Sequence, residues 1–160
     1  MPLKNKANKI LDESELVEIL SKFGSPIFTG SYQYDLMTSQ DIDLYLVVDN
    51  PSKVIVKDLV NTLINQGFWN RIKYGDFLNF PYPKNQAFLD KSFFVGLKRG
   101  NEEDEWNIDI WIITKEQELK LDYPWLKNIN EEQKKQILDM KENKKELGMT
   151  SFEIYKKILN

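Results

Sequence analysis

Three aspartates stand inside apolar runs, where a carboxylate has to be accounted for. Asp41-Ile42-Asp43 opens the run Leu44-Tyr45-Leu46-Val47-Val48, and Asp109 lies within Trp106-Asn107-Ile108-Asp109-Ile110-Trp111-Ile112. Both runs read as strands. Aspartate is depleted in strands, because its short polar side chain competes for backbone hydrogen bonds and packs badly on a pleated surface. A lone carboxylate on a half-buried face is also costly to desolvate. A divalent cation would offset that cost. Carboxylate oxygens are hard ligands suited to Mg2+ or Mn2+. Magnesium held by a few carboxylates keeps positions open for water and substrate phosphates. This is the chemistry of phosphoryl or nucleotidyl transfer. In two-metal sites of that kind the ions lie about 3.5–4 Å apart and stabilise both the attacking and the leaving oxygen.

Ten residues before the first of these aspartates the chain has Gly30-Ser31. Pro26-Ile27-Phe28-Thr29 reads as a short strand that ends in this turn, and a helical stretch over 32–37 can follow. Glycine permits close backbone approach to a ligand. Backbone N–H groups at the start of a helical turn favour anions, and a serine hydroxyl there can bond a phosphate oxygen. The turn is therefore expected to hold phosphates while the aspartates hold metal.

The strand period says how these groups meet. Side chains two apart point to the same face. Asp41 and Asp43 share one face, with Ile42 and Leu44 on the other. In the later strand Asn107, Asp109 and Trp111 share a face, and Ile108, Ile110 and Ile112 the opposite one. The simplest sheet buries the isoleucines of both strands in one core and brings the aspartates together on the other face, near the strand ends. Ser92–Lys98 and Glu105–Ile113 read as a hairpin around an acidic turn, which places Asp109 mid-sheet.

Gly30-Ser31, Asp41-Ile42-Asp43-Leu44 at this spacing, and a third aspartate on a later strand together resemble the nucleotidyltransferase superfamily of the DNA polymerase β type. The small bacterial members, minimal and antibiotic nucleotidyltransferases, look most similar. The resemblance runs from about Phe23 to Thr114. It implies an α/β (α+β) fold: a mixed, largely antiparallel twisted sheet with packed helices and a short helical C-terminal extension. It implies catalytic and metal-binding roles for Asp41, Asp43 and Asp109, nucleotide binding at Gly30 and Ser31, and Mg2+ or Mn2+ as cofactor. Where the family often has small residues and a second glycine after Gly-Ser, this chain has Tyr32, Gln33, Tyr34 and Asp35. Asp35 would oppose a triphosphate, so it is expected to face solvent.

Composition limits the alternatives. A chain of 160 residues suggests one domain with a real core. A nucleotidyltransferase-like region over 1–120 and a helical extension over 121–160, packed on the same domain, are expected. Net charge is −3, which makes no general electrostatic case for nucleic acid or an anionic membrane. No apolar run reaches the ~18 residues of a membrane span. The polar, basic start over 1–9 does not read as a secretory signal, and a cytoplasmic location is expected. There is no cysteine, hence no disulfide or thiolate chemistry. There is no histidine either, which excludes Ser-His-Asp triads and HExxH sites. General-base work falls to carboxylate, lysine or tyrosine.

The remaining elements serve to position these groups. Asp12 with Glu15 predicts an N-cap before a helix carrying Leu16, Val17, Ile19, Leu20 and Phe23. Asn50 and Pro51 predict the start of a second amphipathic helix that ends at Gly67. A short strand is expected over 68–74. A loop over 75–84 follows, whose Phe77, Phe80 and Tyr82 either pack on the core or stack on a nucleobase or close over a pocket. Lys98 and Arg99 either reach a triphosphate or are solvated. Trp106 and Trp111 are core, pocket wall or acceptor platform. A short helix is expected over 115–121 and a loop over 123–129. The charged run 131–147 reads as one helix with a solvated face, and Thr150 with Glu153 caps a last helix bearing Phe152, Tyr155, Ile158 and Leu159.

The function these features favour is transfer of a nucleoside monophosphate from a triphosphate such as ATP to the hydroxyl of a small-molecule, antibiotic-like acceptor. The alternatives are a minimal nucleotidyltransferase acting on a protein partner, as in toxin–antitoxin pairs, and a non-catalytic nucleotide-binding module.

Overall fold

A computed structural model of the chain describes residues 2–81, 91–121 and 124–159. Five strands form one sheet in the order β1-β2-β5-β4-β3. They are β1 (Ser25–Thr29), β2 (Asp41–Val47), β3 (Arg71–Asp76), β4 (Phe93–Arg99) and β5 (Trp106–Ile113). β2 and β5 are parallel, and the other three neighbouring pairs are antiparallel. The sheet is thus mixed and largely antiparallel, with β5 at its centre and β4–β5 the expected hairpin.

The alternation of apolar and polar residues decides which face is covered. Ile42, Leu44 and Leu46 of β2, Ile108, Ile110 and Ile112 of β5, and Phe93, Val95 and Leu97 of β4 are all buried. They join one core with Leu16, Ile19 and Leu20 of α2 (Leu16–Ser21) and Val56, Leu59 and Leu63 of α4 (Lys53–Gln66). Burying one such side chain stabilises the fold by about 1.5–3 kcal/mol. That preference holds the strands in register, because a slip of one residue would put every isoleucine on the wrong face. The half-buried residues between them, Asp41, Asp43, Asn107 and Asp109 among them, lie on the opposite face.

Two expected helix starts are corrected. Asp12 does not cap a helix; it lies in the last turn of α1 (Leu3–Glu13), whose Ala7 and Leu11 are buried four residues apart. With so few apolar positions, the run over 1–9 shows little periodicity, and α1 is held by packing of that one stripe. Glu15, in the left-handed region at φ 49°, turns the chain into α2. The α4 cap is Ser52 rather than Asn50: its hydroxyl accepts from the Ile55 N–H at 3.4 Å. β3 begins at Arg71 and runs to Asp76, later than expected, because Trp69 turns into the core beforehand.

A second apolar cluster joins Leu36, just after α3 (Gly30–Gln33), to the C-terminal helices. It contains Leu126, Ile137, Ile154 and Tyr155. α5 (Lys115–Leu121) follows β5, and 124–128 forms a 3-10 turn where a loop was expected; Tyr123 and Tyr82 lie outside the described residues. The charged run is two helices, α6 (Glu131–Glu142) and α7 (Lys144–Leu147), interrupted at Asn143. α8 (Ser151–Leu159) starts with the expected Thr150–Glu153 reciprocal cap.

Candidate active site

The open face of the sheet can be read as rows running across the strands. One row is Thr29, Asp43, Asp109, Gly96 and Lys73, each the register partner of the next. A neighbouring row is Asp41, Asn107, Lys98 and Arg71. Another is Ile27, Tyr45, Trp111, Phe94 and Gly75. Asp43 and Asp109 therefore stand directly opposite each other on adjacent strands, whose backbones run roughly 4.8 Å apart. Asp43 and Asp109 thus share the face that the strand period required, with Asp41 one row away opposite Asn107.

Gly30 brings the turn to the same point. Its φ is +62°, a conformation that side chains disfavour. A Cβ placed there would lie 2.8 Å from Asp43 Oδ2. Only glycine lets the start of α3 rest against this carboxylate, so the Gly-Ser turn and the aspartates form one site. Ser31 follows in α3, partly exposed.

The electrostatics are those of a crowded anionic cluster. Burial, then the charges of Asp109 and Asp41, push Asp43 up to about 6, with Lys141 opposing. Asp109 is also raised, by burial first, and Lys73 and Lys98 hold it down. Asp41 Oδ1 accepts from Asn107 Nδ2 at 3.0 Å. Among the described residues, no three acidic side chains are drawn together closely enough to enclose a metal ion. The donor chemistry nevertheless fits one. All three groups are hard oxygen donors, and the raised Asp43 shows a charge that lacks compensation in the protein alone.

Three features of the site were not foreseen from sequence. Lys141, in the last turn of α6, is buried. Its Nζ donates to the Leu36 carbonyl at 2.6 Å and to the Tyr155 hydroxyl at 3.3 Å. Burial, then neighbouring Lys144, lowers it to about 8, while Asp43 and Asp41 pull the other way. Burial, then the Asp43 charge, pushes Tyr155 up to about 12. The charged helix is thus not solvated all round. The available signal was Ile137 four residues before Lys141, which puts the lysine on the apolar stripe. The third feature is the partner of Asp35. Asp35 sits at φ 57° and pairs with Lys134 of α6 at 2.5 Å, so its charge is countered.

The residues whose roles the sequence leaves open have these surroundings. Lys98 pairs with Glu105 at 2.5 Å, and Arg99 donates to the Phe68 carbonyl at 2.6 Å. Trp106 is core at 3% exposure. Trp111 is on the open face, its ring 4.8 Å from Phe94 and 5.8 Å from Phe77. Phe80 is largely exposed.

By sequence, no family model and no curated protein matches the chain. By structure, it is similar to a cytoplasmic RNA terminal U-transferase, with a TM-score of 0.66 at 17% identity. The match covers 95% of this chain and 44% of that one, so the chain spans less than half of its structural relative. The fold is nucleotidyltransferase-like, a mixed sheet with packed helices.

Proposed function

From a nucleotidyltransferase-like fold, we propose that the protein transfers a nucleoside monophosphate from a nucleoside triphosphate to the hydroxyl of a small-molecule acceptor, with Mg2+ or Mn2+. The observation that carries this reading is the row in which Asp43 and Asp109 oppose each other with the Gly30 backbone against Asp43. Magnesium held by Asp41, Asp43 and Asp109 would supply Lewis-acid stabilisation of the charge on the transferring phosphoryl group. Ser31 and the backbone after Gly30 orient the β- and γ-phosphates. Lys141 adds a buried positive charge on the side of Asp41 and Asp43. Asp109 takes the proton of the acceptor hydroxyl as its oxygen bonds to the α-phosphorus; the bond to the β-phosphate oxygen breaks, and pyrophosphate leaves. Catalysis is then positioning plus electrostatics. No helix among the described residues is long and apolar enough to cross a membrane. A nucleoside triphosphate donor would fit the cytoplasmic location expected from the sequence.

Millimolar Mg2+ or Mn2+ together with a nucleoside triphosphate is expected to raise the melting temperature. A ligand that binds only the folded state stabilises it by about 2.7 kcal/mol at a hundredfold excess over Kd. Thermal unfolding with each of the four ribonucleoside triphosphates tests this, and the absence of a shift with all of them would remove the nucleotide reading. Ser31→Ala is expected to weaken triphosphate use about ten- to a hundredfold, the worth of one hydroxyl bond to a charged phosphate. Unchanged steady-state kinetics in the folded variant would reduce the Gly-Ser turn to a plain connection.

A further inference from the structure

The open face is divided by charge. The half built by β2 and β5 carries Asp41, Asp43 and Asp109, while the half built by β4 and β3 carries Lys98, Arg71 and Lys73. On that second half lies a groove of about 540 Å³ lined by Asn70, Arg71, Ile72, Lys73, Gly96 and Lys98. Lys98 and Arg71 share Glu105, which leaves one of their two charges uncompensated. Lys73 has no ion-pair partner among the described residues; its ammonium rests 5.6 Å from the centre of the Phe94 ring. The groove is therefore cationic in a chain of net negative charge.

Its position relative to the acids is set by register. Lys73 and Asp109 flank Gly96 on either side in one row. Gly96 is the floor between them: a Cβ there would lie 2.7 Å from Lys73 Cε and 3.0 Å from the Phe94 ring. Two strand spacings, roughly 10 Å of backbone, separate Asp109 from Lys73. A flexible lysine reaching inward shortens that span to the length of one sugar phosphate. Asp43 lies against the Gly30 backbone and Asp41 is on the same strand, so Asp109, on β5 beside β4, is the acid nearest the groove.

We propose that this groove binds the acceptor, and that the acceptor carries a phosphate: its hydroxyl lies at Asp109, and its phosphate crosses Gly96 to Lys73, with Lys98 and Arg71 behind. This rests on the nucleotidyl-transfer reading and narrows its acceptor. A polycationic acceptor would meet three basic side chains here and is disfavoured. The phosphate can belong to a small sugar phosphate or to a nucleic-acid strand, which share this chemistry.

The test uses the full chain saturated with magnesium and a non-hydrolysable triphosphate, so that the donor side is filled. Ribose 5-phosphate, ribose and a five-nucleotide RNA are titrated by calorimetry into the parent, Lys73→Glu and Lys57→Glu. Lys57 is an exposed lysine on α4, across the sheet from the groove. The expected result is binding of at least one phosphate-bearing probe but not ribose. Lys73→Glu should weaken it about ten- to a hundredfold, as loss of a charge-assisted bond does, with Lys57→Glu unchanged. Binding of ribose 5-phosphate marks a small acceptor; binding of the RNA alone marks a strand. Failure of both phosphate probes, or equal affinity in Lys73→Glu and the parent, overturns the proposal. Triphosphate stabilisation, measured on the same proteins, separates the two claims. If Lys73→Glu keeps that stabilisation and the probes fail, the groove assignment falls alone. If no triphosphate stabilises the parent, the donor reading falls while probe binding through Lys73 still stands or falls by itself.

Discussion

Asp109→Asn is expected to abolish measurable transfer while leaving most of the affinity for magnesium-triphosphate. The two halves of this outcome come from different strands. Asp41 and Asp43 are on β2, and Asp43 lies against the Gly30 backbone where the phosphates are to be held. Asp109 is on β5, one strand further from that turn, with Gly96 of β4 on its other side. The amide keeps the size of the side chain but cannot take the proton of an attacking hydroxyl. Loss of general-base transfer alone typically costs ~10²–10⁴-fold, and loss of a metal contact adds to that. Calorimetric binding of magnesium-triphosphate beside a transfer assay distinguishes the roles. An active variant would remove Asp109 from the mechanism. A variant that no longer binds the triphosphate would make it one of the donor-side acids.

Most of the geometry behind this expectation was legible in the sequence, because it rests on period two. Three aspartates in apolar strands had to share a face once the isoleucines chose the other, and the structure pairs Asp43 with Asp109 in direct register. The β4–β5 hairpin followed from two apolar runs around an acidic turn. What escaped were contacts made by residues whose local pattern is weak. Lys141 and Lys134 sit in a run so rich in charge that the one pointer, Ile137 four residues before Lys141, made no firm stripe until Ile137 and Tyr155 packed around Leu36. Asp35 looked like an obstacle to phosphates because its partner is 99 residues away in sequence. α1 escaped for the same reason as Lys141: two buried residues one turn apart are enough to hold a helix in a folded protein but too few to announce it. The division of the open face into an acidic and a basic half was also invisible, since β3, which carries Arg71 and Lys73, joins the sheet only by pairing with β4.

Asp43→Asn carries the second large effect, and it has opposite signs in stability and in function. The Asp43 carboxyl is raised from its ordinary 3.8 to about 6 in the folded protein, by burial first and then by Asp109 and Asp41. A raised carboxyl pKa means that the folded state holds this proton more tightly than the unfolded chain does. Ionised Asp43 therefore costs stability, fully above about pH 6, and the cost fades as pH falls from 6 toward 4. Two pKa units correspond to at most about 3 kcal/mol. The asparagine variant lacks this ionisation and is close to isosteric where the side chain meets Gly30. In the absence of metal it is expected to be more stable than the parent at pH 7.5, by about 1–3 kcal/mol after allowance for partial exposure of the site. That advantage should shrink as pH falls through 6 and vanish near pH 4. Urea unfolding of both proteins across this range measures it. The same substitution is expected to eliminate stabilisation by magnesium-triphosphate, because the crowded charge that weakens the free protein is the charge a cation would neutralise. A site kept at the expense of fold stability is what selection for function produces. A variant less stable than the parent at every pH would mean that Asp43 is held in place by contacts that favour its charged form. The case for a cation at this row would then lose its electrostatic support.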